Sequence, residues 1–167
     1  PEIDLRVSAS PQHIDFARED IDIAIRHGNG HWPGMHVTQL CVEELFPVCS
    51  PKFLRGRHAL RSPTDLKSHT LLHVTDRHDW SDWLQAAGVD DVDVSRGPVF
   101  NQRSMGIDAA VDGQGIALAR SALAAWDILA GRLVRPFKFA LQVPFAYWIV
   151  CPKSTAELPK ISIFREW

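Results

Sequence analysis

The side chains best placed for chemistry are short polar groups at the ends of apolar runs, with one arginine and one tyrosine. Ser8 and Ser10 close the run Ile3-Asp4-Leu5-Arg6-Val7-Ser8, just before Pro11. Serine before proline signals a helix start, because the hydroxyl accepts from the first free N–H groups and proline suits the first turn. With the helix dipole behind it, such an end suits a carboxylate; capping by Ser10 alone is the competing reading. Arg26 ends the run Ile21-Asp22-Ile23-Ala24-Ile25, beside Gly28. Its planar fork can pair with a ligand carboxylate or phosphate, or with a structural Asp or Glu. In Phe100-Asn101-Gln102-Arg103-Ser104 an apolar run turns into a helical pattern. Asn101 and Ser104 can serve a ligand or the helix start there, and Phe100 can wall a cleft or fill a core. Tyr147, the only tyrosine, offers a hydroxyl from another apolar run, whereas its neighbour Trp148 reads as core. Together these groups suit recognition of a small molecule, with hydrogen bonds and one cation.

Other chemistries lack their residues. There is no Gly-x-Ser-x-Gly and no P-loop, and Asp112-Gly113-Gln114-Gly115 follows a helical pattern, lacks the third glycine and precedes a strand, unlike a dinucleotide fingerprint. His27, His31 and His36 match no zinc spacing and no cysteine pair accompanies them, so no metal or other cofactor is expected. Cys41, Cys49 and Cys151 each sit in apolar, strand-like stretches, as buried, reduced thiols of a cytoplasmic protein would. A Cys–His nucleophile is disfavoured there, because apolar burial suppresses the thiolate. Eighteen basic residues against twenty acidic ones give a net charge of -2 with no basic cluster, which argues against this segment gripping nucleic acid by itself. No apolar run approaches the roughly 20 residues that cross a bilayer, and the polar, acidic start is unlike a secretion signal.

The elements that must position these groups alternate. Ile3–Ser8 and Ile21–Ile25 have the period of half-buried strands, and a short helix over 13–18 between them would make a parallel crossover unit. Val37 to Cys49 reads as one long strand or two, around Glu43-Glu44. Ser62-Pro63-Thr64-Asp65 marks a helix start, Leu71–Val74 a strand, Trp80–Ala87 a helix stopped by Gly88, Pro98–Phe100 a strand, and Met105–Val111 a helix stopped by Gly113. Ile116–Ala119 is wholly apolar, as in a strand covered on both faces. Ala122–Ala130 reads as a helix ended by Gly131, Leu133-Val134 and Phe145–Cys151 as strands, and Pro159–Trp167 as an amphipathic helix. The strand breaks at Cys49-Ser50-Pro51 and Cys151-Pro152 suggest a lobe of residues 51–147 inserted into one of residues 1–50 plus 148–167. Two lobes joined by two crossover strands suit a hinged, cleft-binding protein.

Several phrases recur together: Asp15-Phe16-Ala17-Arg18 running into Asp22-Ile23-Ala24-Ile25-Arg26-His27-Gly28, Trp32-Pro33-Gly34, Glu43 to Pro51, Asp112 to Leu118, Gly131 to Phe137, and Phe145 to Pro152. In this order and spacing the chain resembles the substrate-binding domain of LysR-type transcriptional regulators, in the branch similar to the glycine-cleavage activator. The resemblance implies an α/β fold like the type II periplasmic binding proteins, with two Rossmann-like lobes around a cleft. It implies a small effector in that cleft; the candidate contacts are the groups read above, Ser8, Ser10, Arg26, Phe100, Asn101, Ser104 and Tyr147, which suit a small carboxylate or amino acid. It further implies a homo-oligomer, dimer or tetramer, in the full-length protein, DNA contact only through an N-terminal winged helix-turn-helix outside this sequence, and no catalysis. The first strand and helix of the first lobe are expected to lie outside it too. A transporter's solute-binding receptor of the same fold is the alternative, against which three cysteines count.

Overall fold

A computed structural model describes residues 4–10, 12, 14–75 and 77–166. Six strands form one sheet: β1 (Ala24–Gly28), β2 (Met35–Val48), β3 (Leu71–Val74), β4 (Val99–Phe100), β5 (Ile116–Arg120) and β6 (Leu141–Pro152), in the order β1-β6-β2-β5-β3-β4. The helices are α1 (His78–Ala86), α2 (Arg103–Val111), α3 (Ser121–Leu129) and α4 (Pro159–Glu166), with short 3-10 turns at Pro51–Leu54 and Pro63–Ser68. The chain divides into two compact units, residues 1–42 with 144–167, and residues 43–143.

The larger unit is built on parallel strands. β5 runs parallel to β3, with Leu71 opposite Ile116, and β3 runs parallel to β4, with His73 opposite Val99. The end of β2 is antiparallel to β5, from Leu45 opposite Arg120 to Val48 opposite Ala117. Successive strand residues point to opposite faces, and here both faces are dry. Leu45, Leu71, Ile116 and Leu118 pack with Trp80, Trp83 and Leu84 of α1. Phe46, Val48, Leu72, Ala117 and Ala119 pack with Ile107, Ala109 and Ala110 of α2 and Ala124 of α3. Cover on both sides explains the unbroken apolar run Ile116–Ala119, every residue of which is buried.

Local chemistry fixes the ends. The Ser62 signal yields a 3-10 turn whose Asp65 carboxylate accepts from the N–H groups of Ser62 (2.8 Å) and Arg61 (2.9 Å). Those bonds hold the Asp65 carboxyl below the ordinary range. Buried His73 closes the loop before β4, its Nε2–H donating to the Arg96 carbonyl at 2.7 Å, and burial pulls the imidazole's pKa down. Next to it Gly97 has φ +104°, and a Cβ there would lie 2.0 Å from the Leu71 carbonyl oxygen, so only glycine fits.

In the smaller unit β1 is antiparallel to β6, from Ala24 opposite Val150 to Gly28 opposite Ala146. Cys151, Ala156 and Ile161 form its buried cluster, with Ile23 packed against them. Lys160 of α4 pairs with Asp22 at 2.8 Å.

This corrects the reading of the first twenty-five residues. Of the expected strand Ile3–Ser8, the described residues have no regular structure, and Leu5 and Val7 are 63% and 84% exposed. Residues 16–18 form a turn in place of a helix, with His13 outside the described residues. The second strand starts at Ala24 and pairs antiparallel, so no parallel crossover forms there. Alternation records which side a strand would bury, but a strand persists only where a neighbour takes up its N–H and C=O groups. Leu133-Val134 shrinks to a single bridge, Val134 to Cys49. No described helix is long and apolar enough to cross a membrane.

Candidate functional site

Because β3, β4 and β5 are mutually parallel, their carboxyl ends lie at one edge of the larger unit, and each runs into a helix: β3 toward α1, β4 into α2, β5 into α3. Ligands of open parallel sheets bind outside such an edge. The N-cap residues there, Arg77, Gln102 and Arg120, make no side-chain cap bond. Exposed Asn101 and Ser104 flank the start of α2, with Ser104 on its second residue. Free N–H groups and dipole ends of this kind favour an anion. Phe100 is half-buried against the core face shared by α2, and its carbonyl accepts from Thr75 N–H at 2.7 Å.

Three features of this edge escaped the sequence reading. Thr75, at the end of β3, has φ +61°, a left-handed conformation rare for a β-branched residue and of the kind concentrated at binding sites. Arg103 pairs with Asp79 at 2.8 Å through Nη2, while its Nη1 is buried with no hydrogen-bond partner among the described residues. Arg120 faces Glu43, whose side chain is wholly buried, at 3.5 Å. Burial raises the Glu43 pKa; Arg120, the Ala122 N–H at the start of α3, and Arg103 oppose the rise. A carboxylate from β2 thus serves the α3 terminus, while among the described residues the α2 N-cap, Gln102, makes no side-chain cap bond. The one sequence signal was Glu43-Glu44 interrupting an apolar run.

In the smaller unit the β1–β6 register decides which groups converge. His27 lies opposite Tyr147, their rings 5.0 Å apart, and Arg26 lies opposite Trp148. Arg26 and Tyr147 therefore project from opposite faces of the ribbon. The Arg26 guanidinium donates to the Ile14 carbonyl at 3.0 Å and lies 5.7 Å and 5.9 Å from the ring centres of Phe16 and Trp32. Trp148 donates from Nε1 to the Gly28 carbonyl at 2.9 Å, and its ring packs where any side chain at Gly30 would stand. Ser8 and Ser10 are exposed; Ser10 Oγ accepts from Gln12 N–H at 3.1 Å, and the described residues that follow up to Arg18 form no helix. Among the described residues no group of His, Cys, Asp and Glu is placed to hold a metal ion. None of the three cysteines is in a disulfide bond. Burial pushes the Cys49 thiol up to about 12 and raises that of Cys151, so neither supplies thiolate near neutral pH.

This architecture is the type II periplasmic-binding-protein-like α/β fold of effector-binding domains. The chain belongs to the LysR substrate binding domain family, whose model matches residues 1–167. Over all 167 residues it is 44% identical to the Glycine cleavage system transcriptional activator of Escherichia coli (strain K12), and it spans 55% of that protein's length. It superposes on the effector domain of the transcriptional regulator AmpR of Pseudomonas aeruginosa with a TM-score of 0.72 and 34% identity, covering 93% of this chain and 74% of that one. A Citrobacter freundii effector binding domain carrying three amino acid substitutions gives a TM-score of 0.73 and 27% identity, covering 93% of this chain and 77% of that one.

Proposed function

We propose that this chain is the sensing part of a LysR-type transcriptional regulator that binds a small carboxylate or amino acid and releases it unchanged. The observation that carries the reading is the open α2 terminus at the carboxyl edge of β3, β4 and β5, where Asn101, Ser104 and the unsatisfied Arg103 Nη1 await an acceptor. An anion supplies that acceptor, and hydrogen bonds to it are charge-assisted. The relatives named above are transcriptional activators and effector domains, not transport receptors. DNA contact and the dimer or tetramer that such a regulator needs are assigned to the longer protein.

Ser104 and Tyr147 are assigned to effector recognition, each on its own unit. In the substituted Citrobacter freundii domain a serine was changed to alanine and a tyrosine to phenylalanine, at positions as far apart in sequence as Ser104 and Tyr147. Each change removes only a hydroxyl. Ser104→Ala and Tyr147→Phe are each expected to weaken effector binding about tenfold, the worth of one hydrogen bond to a charged group. Calorimetric titration of both variants checks this; full affinity in both removes these hydroxyls from the site. Arg26→Ala, titrated alongside, separates a ligand contact from the packing of the 14–18 turn.

A further inference from the structure

Residues 87–98 join α1 to β4 as an irregular strap on the α1 side of the larger unit. Its apolar hold is modest. Val92 and Val94 are only half-buried, and a groove of about 200 Å³ runs between them and Leu84 and Gln85 of α1. Polar bonds fasten the far end of the strap. Arg77 donates from Nη1 to the Val94 carbonyl at 3.3 Å and from Nη2 to the Gly97 carbonyl at 3.1 Å. The His73 backbone N–H donates to the Pro98 carbonyl at 3.0 Å, and its Nε2–H to the Arg96 carbonyl.

The fastened site admits only a neutral imidazole. His73 is 1% exposed, and its Nδ1 is buried with no hydrogen-bond partner among the described residues. A second proton would sit on Nδ1 with no acceptor, and its charge would lie in a dry site near the Arg77 guanidinium. No described carboxylate is placed to answer it. Asp93 on the strap is exposed and turned to the Ser95 N–H and to Arg96, Asp79 of α1 is paired with Arg103 of α2, and His78 and Asp82 of α1 are exposed. Both residues of β4 and the Ile116–Ala119 run of β5 are apolar. We propose that the strap is a proton-released latch: on acidification His73 takes up its proton as residues 94–98 lift from β3 and water reaches the ring. In the lifted state the imidazole titrates at its ordinary 6.5. Below that pH the lifted state binds the extra proton, and its population rises up to tenfold per pH unit. Because β4 is two residues long, borders only β3 and leads into α2, lifting loosens Asn101 and the start of α2. The consequence for a ligand at that edge rests on the role proposed for it above; the latch itself does not.

Amide hydrogen exchange of the chain from about pH 7.5 to about pH 5, read by NMR and corrected for the intrinsic rate, tests the proposal. The His73 and Thr75 amides, bonded to the Pro98 and Phe100 carbonyls, report the latch, and the Ile116 amide, bonded to the Thr70 carbonyl, reports the rest of the sheet. Below pH 6.5 the first two are expected to open up to tenfold more often per pH unit, and Ile116 is not expected to follow. In His73→Gln, which can still donate to the Arg96 carbonyl but takes up no proton, that slope should vanish. The ring of the unaltered chain gives a second readout that needs no variant: nitrogen-detected NMR should find the neutral Nε2–H form at neutral pH, titrating below the ordinary histidine. A flat response at His73 and Thr75, an equal slope at Ile116, a slope that survives in His73→Gln, or a ring that titrates at or above 6.5 each overturns the proposal.

Discussion

Trp83→Ala is expected to cost about 3–5 kcal/mol, the range for emptying an aromatic site in a packed core. Trp83 is wholly buried on the α1 face of the sheet, where its ring lies 6.1 Å from Trp80, 6.1 Å from Phe137 and 5.5 Å from Phe139. Its neighbours are held from elsewhere, as by the Trp80 Nε1 bond to the Leu72 carbonyl at 3.0 Å, so they cannot close over the void. Against a total stability of about 5–15 kcal/mol, the variant should lose much of its helical circular dichroism at moderate urea. Trp83→Phe should behave differently. The Trp83 Nε1 is buried with no hydrogen-bond partner among the described residues, so phenylalanine removes an unsatisfied donor while keeping most of the contact. Its urea midpoint should fall by less than half as much. Equal losses in the two variants would show that the indole N–H, and not the filled volume, matters.

Arg120→Ala is expected to cost about 3 kcal/mol near neutral pH, because it strips the facing cation from a carboxylate with no access to water. The pH dependence has a definite sign. Burial holds the Glu43 pKa above its ordinary 4.5, so between 4.5 and its folded value the native state binds more protons than the unfolded one, and stability falls as pH rises through that window. Arg120→Ala widens the window and steepens the loss, and acidification toward pH 4.5 should restore part of the stability. Glu43→Gln should flatten the dependence and, combined with Arg120→Ala, recover most of the neutral-pH loss. Urea midpoints across pH for the two single variants and the double variant measure this. Additive losses in the double variant would mean that the two side chains act independently.

What the sequence disclosed depended on whether neighbours in the chain decide a residue's fate. Helices α1, α2 and α3 were legible because each ends at a glycine that takes a left-handed turn, Gly88, Gly113 and Gly131, at φ between +69° and +73°. The Ile116–Ala119 strand was legible because burial on two faces removes any alternation. Leu5 and Val7 misled because their alternation is real but no strand among the described residues pairs with them. The same division runs through the site. Asn101 and Ser104 were found, since a polar pair where a strand meets a helix is a local pattern. Arg103 was passed over within the same phrase, for its ion pair comes from Asp79 on another helix. Glu43 and Arg120 could not be paired by inspection, as the fold alone joins β2 to the end of β5. The left-handed Thr75 is likewise a product of tertiary packing, which propensity opposes.

Saturation-transfer NMR of the chain against a panel of small carboxylates and amino acids tests the sensing role most directly, since it detects even millimolar binding. Transfer to at least one compound is expected, lost on Ser104→Ala, with the ligand's own spectrum unaltered after prolonged incubation. Silence across the panel, or ligand signals giving way to those of a product, would contradict it.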